Sequence, residues 1–273
     1  MTATLDTATL DAPRPVADSL TMVRRRILHM RRYPSLTIML IGQPIVLLLL
    51  FVYVFGATMG AGLAGPGGGR AQYLAYITPA VLLMTVASVA LATAIGVATD
   101  MTTGIVARFR TMAIARVSVL TGHVVGAFVQ TAVALVVVFA VSLALGFRPG
   151  AGPGGWLGVL GVLALLTLAL TWFTVALGLL ARTVESASNT PMFLVLLPFV
   201  GSGFVPTDSM PWGLRWFAEY QPFTPVIDAL RGLLDGGPAP VTSVLLATGW
   251  CVVITVVSYV WARHLYDTRA SRA

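Results

Sequence analysis

Six long stretches without a charged residue constrain this chain most strongly. They cover residues 37–57, 77–99, 119–145, 156–180, 190–205 and 244–262. A helix needs about 20 consecutive apolar residues to cross the hydrocarbon core of a bilayer, and an arginine or aspartate at its centre costs at least about 2.5 kcal/mol. The composition agrees, since 57% of the residues are hydrophobic and 10% are charged. The sequence therefore predicts an all-α integral membrane protein with six transmembrane helices.

The distribution of arginine predicts how these helices are oriented. The chain has 17 basic residues, all of them arginine, and short cytoplasmic loops retain positive charge. If the amino terminus is inside, only four arginines lie in outside loops: Arg70, Arg148, Arg215 and Arg231. We therefore expect residues 1–36 as a cytoplasmic amino terminus, residues 37–262 as the transmembrane domain and residues 263–273 as a cytoplasmic tail. The net charge of +7 then reflects topology and not binding of nucleic acid.

The absence of lysine excludes one chemistry. A P-loop needs a lysine at the nucleotide phosphates, and this chain has none, so it cannot be a P-loop ATPase. Arginine without lysine, beside abundant alanine, glycine and valine, indicates a GC-rich bacterial genome. The expected location is therefore the inner (plasma) membrane of a bacterium. The single cysteine, Cys251, allows no intramolecular disulfide and is interpreted as a small lipid-facing or packing residue.

The segment before the first span predicts an amphipathic helix. Between residues 17 and 33, apolar Leu20, Val23, Ile27 and Met30 recur at spacings of three and four, the period of one helix face. Such a helix would lie at the inner leaflet. A charged flank that only anchors the topology remains the alternative.

The cytoplasmic connection between the second and third spans, residues 100–123, carries the most specific pattern. Six residues in it are candidates for coupling to a partner protein: Asp100, Gly104, Arg108, Phe109, Arg110 and Arg116. An aromatic residue between two arginines suits insertion into a cleft of another protein. A basic loop on the inside of a membrane is expected in any case, so a topological role is the alternative.

The region after the fourth span predicts a short, loosened helix followed by a helical hairpin. The short fifth span contains Pro191 and Pro198, which free backbone groups that must find partners within protein or water. Its expected position is thus packed inside the protein. Aromatic residues between 212 and 220 then predict a hairpin that dips into the outer leaflet, or else a plain aromatic belt.

These two regions resemble the permease subunits of type-2 ABC exporters, in particular the daunorubicin-resistance-like branch, and the resemblance covers nearly the whole chain. That family has an Asp, a Gly, an Arg-Phe-Arg run and a later Arg in its first cytoplasmic loop, in the order seen from Asp100 to Arg116. Residues 198–234 match a second run, with FVP, MP, FA, QP and DA-R in order. Ala113 departs from the pattern, since proline is common there.

The resemblance implies a permease that exports a lipophilic or amphipathic compound such as a drug, an antibiotic or a lipid. It implies two copies of a separate ATP-binding subunit, which hold ATP and magnesium and dock on residues 108–114 and on the amino-terminal helix. It also implies two copies of this chain, as a homodimer or as a heterodimer with a paralogue. In the family, the hairpin caps the outer end of the path. No cofactor is expected on this chain itself.

Two other classes of protein fit the sequence less well. An ion-coupled secondary transporter of a hydrophobic solute usually needs an ionisable group within the membrane, whereas His123 and His264 are expected as solvated residues at the cytoplasmic edges. An intramembrane enzyme would need a nucleophile with a base, or a metal cluster, and the sequence shows neither. Three phenylalanines of the fifth span are candidates for the translocation path, or alternatively face lipid: Phe193, Phe199 and Phe204.

Overall fold

A computed structural model describes residues 34–64, 69–103, 116–237 and 241–270. Within these ranges every regular element is helical. The predicted amphipathic helix at residues 17–33 and most of the predicted coupling loop, residues 104–115, lie outside the described residues.

The first half of the chain forms long helices. They are α1 (Pro34–Leu50), a π-helical turn (Phe51–Phe55) that continues into α2 (Gly56–Ala64), α3 (Arg70–Thr102), α4 (Arg116–Ala144) and α5 (Pro153–Leu180). In α3, Thr78, Thr85 and Thr93 each donate a hydrogen bond to the carbonyl oxygen one turn earlier. Because these bonds lie within α3, the buried hydroxyl groups need no hydrogen-bond partner from another helix.

The second half begins with short pieces. These are α6 (Val184–Asn189), a 3₁₀ turn (Thr190–Met192), α7 (Phe193–Leu196), 3₁₀ turns at Leu197–Val200 and Thr207–Ser209, α8 (Trp212–Tyr220), α9 (Phe223–Asp235) and the long α10 (Val241–Ala270). We call Val184–Val200 the broken segment. The hairpin predicted from the aromatic pattern is present as α8 and α9.

Five stretches of helix are long and apolar enough to cross a membrane: Thr37–Leu63, Arg70–Thr102, Leu120–Ala144, Pro153–Leu180 and Val241–Tyr266. They coincide with five of the six predicted spans. The remaining prediction, the fifth span at residues 190–205, is not a continuous helix. Its helical part is the broken segment, which starts earlier than predicted and ends before a turn at Gly201.

The helices pack around α3, which is buried along most of its length. On one side α3 packs against α5, and α5 packs in turn against α10. The contact between α3 and α5 is close, because a Cβ atom on Gly178 would lie 2.6 Å from the carbonyl oxygen of Ala94. Cys251 is buried in the main core, which agrees with a packing role.

The sequence contains two GxxxG spacings, Gly56 with Gly60 and Gly122 with Gly126, a pattern that gives weak support for close packing of helices in a dimer. These glycines do not mark an exposed face. Gly60 faces the backbone of Gly69, where an added Cβ atom would collide with the carbonyl oxygen. Gly122 and Gly126 are buried within the chain. They therefore do not support a dimer interface, because they are buried within this chain.

Candidate functional sites at the two ends of the helix bundle

One candidate site lies where α3 ends and α4 begins. There, His123 Nε2 lies 3.0 Å from Asp100 Oδ2, and the two residues belong to the two helices that flank the predicted coupling loop. Because a carboxylate only accepts, Nε2 donates the hydrogen bond. We call this part of the bundle the Asp100 end. The pair joins the two helices at the base of the loop.

The prediction that His123 is solvated is wrong. Its exposed fraction is 8%, and its Nδ1 atom is buried without a hydrogen-bond partner among the described residues. The physical reason is the packing of α4 against α3, which pairs the ring with Asp100 and removes it from water. His264, on α10, is exposed, as predicted.

Other helices end at the same place. Val97 of α3, Leu179 of α5 and Tyr266 of α10 belong to one apolar cluster, and a second cluster joins Ala98 of α3 to Ala187 of α6. The Asp100 end therefore gathers the ends of α3, α5 and α10 and the starts of α4 and α6. Arg182 and Glu185 are exposed there, which suits either a second partner contact or a simple connector.

Of the six residues predicted to couple to a partner, the structure places only Asp100 with its contacts. Gly104, Arg108, Phe109 and Arg110 lie outside the described residues, and Arg116 is described only as the first residue of α4. The proposed docking surface thus stays a prediction from sequence.

The second candidate site lies at the opposite end of the bundle, which we call the Arg231 end. Arg231 Nη1 donates to Asp228 Oδ1 at 2.7 Å, and Arg231 Nη2 donates to the carbonyl oxygen of Ser202 at 2.8 Å. The guanidinium lies over the ring of Tyr76, with Cζ 3.9 Å from the ring centroid. Ser202 Oγ also donates to Asp228 Oδ1, at 2.8 Å.

This network satisfies the backbone that follows the broken segment. The Tyr76 hydroxyl donates to the Ser202 carbonyl at 2.9 Å, and Gln221 Nε2 donates to the Leu197 carbonyl at 3.2 Å. Irregular backbone at membrane depth is tolerated only where such partners exist. The part of the predicted fifth span from residue 197 to 204 is therefore packed as predicted, with side chains of α3, α9 and the α8–α9 connection as its partners. The part before it is not, because Met192, Phe193 and Leu196 are 53%, 43% and 53% exposed.

Sequence reasoning missed the Asp228–Arg231 pair, since it assigned Arg231 to an outside loop. The structure places both residues within α9, with side chains 34% and 20% exposed. One signal could have found the pair, because residues three apart on a helix are neighbours and these carry opposite charge. The contacts with Tyr76 and Ser202 had no local signal.

The three phenylalanines predicted to line a path lie in different surroundings. Phe193 is 43% exposed and Phe204 is 3% exposed. Phe199 and Phe204 stack with their ring centroids 4.5 Å apart, and Phe51 of the π-helical turn lies against both. Phe204 is thus part of the core in this conformation, whereas Phe193 is available at the surface.

The exposed face of the hairpin carries a small charged group. Arg215 of α8 pairs with Asp208 and Glu219, each at 2.7 Å. The hydrogen bond with Glu219, helped by both carboxylates, raises the pKa of Arg215, so this residue remains charged. Among the described residues, no group of three His, Cys, Asp or Glu side chains could hold a metal ion.

The sequence profile of the ABC-2 type transporter family matches residues 18–234. The chain belongs to the ABC-2 type transporter family. The match includes α1 to α9 and both candidate sites, and it ends at the last residues of α9. The family assignment agrees with the resemblance seen in the sequence.

Two relatives show which kind of protein this chain is similar to. The chain is 29% identical over 226 residues to the daunorubicin resistance ABC transporter permease protein DrrB1 of Streptomyces coeruleorubidus. The aligned region covers 81% of this chain and 76% of the relative. It is 28% identical over 142 residues to the probable doxorubicin resistance ABC transporter permease protein DrrC of Mycobacterium tuberculosis. That match covers 51% of each chain. The similar proteins are thus ABC transporter permease proteins, named for resistance to daunorubicin and doxorubicin.

Proposed function

We propose that this protein is the transmembrane permease subunit of an ABC exporter that moves a lipophilic or amphipathic compound out of the cell. The observation that carries the proposal is the family match over residues 18–234, together with relatives named as drug resistance permeases. The compound is a drug, an antibiotic or a lipid-like molecule, and apolar helices favour such cargo over a sugar polymer.

ATP would be hydrolysed by a separate subunit, with ATP and magnesium on that partner. Two copies of the partner would dock on residues 108–114 and on the amino-terminal segment. The Asp100–His123 contact supports this role for the Asp100 end, because it ties together the two helices that flank the loop. A movement of the loop would then be passed to α3 and α4 as one unit.

Two copies of this chain would form the path, and Phe193 on the broken segment is the exposed candidate for lining it. The membrane would be the bacterial plasma membrane, with six crossings, the Asp100 end inside and the Arg231 end outside. In this orientation α8 and α9 lie in the outer leaflet, where the paired charges of Arg215 and Arg231 keep the hairpin near the interface.

The first experiment is to purify the tagged chain from its native membrane in a mild detergent and to identify the proteins that come with it. We expect a near-equimolar P-loop protein and ATPase activity that vanadate inhibits. A chain that is purified alone and without ATPase activity, under conditions that preserve a known ABC exporter, would contradict the proposal. An ion-coupled transporter would then be the better hypothesis.

A further inference from the structure

An apolar groove runs between α4 and α5 near the Arg231 end, with Leu82 of α3 at one side. It has a volume of about 460 Å³, within the roughly 300–1,000 Å³ of ligand pockets. Among the described residues that line it, the polar side-chain groups are the hydroxyls of Thr131 and Thr167 and the indole N–H of Trp156. The Thr167 hydroxyl already donates to the Leu163 carbonyl at 2.7 Å. An ordered water needs two to four polar partners, so this lining suits an apolar occupant better than water.

The groove opens toward the surface that meets lipid. Two residues of its rim, Val136 of α4 and Leu160 of α5, are 69% and 62% exposed. Its lining includes small residues that are themselves exposed, among them Ala140 and Ala164. Along α4 the lining extends from Phe128 to Leu143, which is about 22 Å of helix. This exceeds the hydrocarbon depth of one leaflet, about 15 Å, so an extended acyl chain can lie along the groove.

A positive charge lies at the mouth of the groove. Arg148 is exposed, and its Nη1 donates to the carbonyl of Leu143, a lining residue, at 2.9 Å. In the described part of the chain no carboxylate forms an ion pair with Arg148. Trp156, in the first turn of α5, forms the other side of the mouth. Tryptophan is typical of the level at which lipid headgroups begin.

We propose that this groove binds one acyl chain of a membrane phospholipid and that Arg148 binds the negatively charged headgroup of the same lipid. The groove supplies the apolar contact area, and the guanidinium supplies the preference for an anionic headgroup. The amino-terminal end of α5 adds a favourable partial positive charge beside the mouth. The groove shares no lining residue with the two candidate functional sites described above, and the proposal does not depend on which compound is exported.

The test uses the full chain in nanodiscs that contain equal amounts of phosphatidylglycerol and phosphatidylcholine, with native mass spectrometry to count the lipids retained on the protein. We expect the wild-type chain to retain phosphatidylglycerol in preference to phosphatidylcholine. Arg148→Gln should reduce that preference by roughly fivefold, the effect of one basic residue near an anionic surface. Arg182→Gln is the matched control, since Arg182 is exposed just after the other end of α5 and lies away from the groove. It should reduce the preference less than Arg148→Gln, because no apolar groove holds a lipid beside it.

A second pair of variants tests the groove itself. Ala140→Phe places a ring in the groove and should reduce retention of both lipids, whereas Val133→Phe places the same ring on the exposed side of α4 and should not. Equal retention of the two lipids by the wild type, or an unchanged preference in Arg148→Gln, would overturn the proposal. The proposal would also be overturned if the wild type formed a dimer without bound lipid and Ala140→Phe were monomeric. The groove would then be occupied by a second copy of this chain. The nanodisc experiment contains no exported compound, so a negative result would not contradict the proposal that this protein is an exporter permease.

Discussion

At the scale of single residues, Arg231 is the point where the polar contacts of its end of the bundle meet. One guanidinium pairs with Asp228, binds the Ser202 carbonyl and lies over the Tyr76 ring. A partly buried charge of this kind depends on its partners, because removing one leaves the others unsatisfied. The structural contribution of Arg231 should therefore exceed that of any exposed arginine.

We expect Arg231→Gln to lower the free energy of unfolding by about 1–3 kcal/mol, the cost of leaving buried polar groups unpaired. The measurement is thermal or denaturant unfolding of the purified chain in detergent. Arg215→Gln is the control, because its ion pairs are exposed and should be worth about 0–1 kcal/mol. Equal losses in the two variants would show that the network does not stabilise the hairpin.

Gly236 is the second residue with a specific requirement. It ends α9 with φ of +76°, and an added Cβ atom would collide with the Gly150 carbonyl oxygen. Gly236→Ala should therefore destabilise the protein by at least about 1 kcal/mol, from the left-handed backbone alone. Gly237→Ala, where no atom lies within 4 Å of the new Cβ, should have little effect in the same unfolding measurement. Similar stabilities would contradict the close contact between α9 and the loop before α5.

At the scale of elements, the broken segment shows how a poor transmembrane helix is accommodated. Its two prolines end each helical piece early. The glycines after the segment allow close contacts, since a Cβ atom on Gly203 would lie 2.8 Å from the Pro198 carbonyl oxygen. Side chains of α3, α9 and the connection before α9 donate hydrogen bonds to two carbonyl oxygens, that of Leu197 in the segment and that of Ser202 just after it. The segment is thus stable only as part of the assembled bundle.

The contact between α3 and α5 gives a prediction for helix packing. Gly178→Ala should push these helices apart and cost about 1–3 kcal/mol, as overpacking does in other cores. Gly161→Ala, on the same helix but with no atom within 4 Å of the new Cβ, should be neutral or slightly stabilising. Unfolding in detergent compares the two variants. A neutral Gly178→Ala would mean that α3 and α5 can separate without loss.

At the scale of the whole molecule, the two ends of the bundle have different constructions. The Asp100 end gathers helix termini around one partly buried pair, next to the predicted coupling loop. The Arg231 end is closed by a hairpin that covers the turn after the broken segment. This division matches the proposed roles, with partner docking at one end and the exit of cargo at the other.

The proposed coupling makes a prediction for the complete transporter. Arg108→Glu should abolish ATP-driven export in vesicles, because it reverses a charge that the partner is expected to bind, while insertion into the membrane stays normal. Arg263→Glu is the control, since it makes the same charge change on an exposed residue at the same end of the bundle. Normal export by Arg108→Glu would contradict docking at this loop.

The sequence by itself determined the all-α membrane class, the position of five spans, the hairpin and the family. These depend on hydropathy and motif order, which are local properties of the chain. Only the tertiary structure decided that His123 is buried against Asp100, that Arg231 is held by Tyr76 and Ser202, and that Phe204 belongs to the core. Each of these contacts joins residues that are far apart in the chain, and it depends on how the helices rotate and approach one another. Hydropathy along the chain carries no information about that rotation.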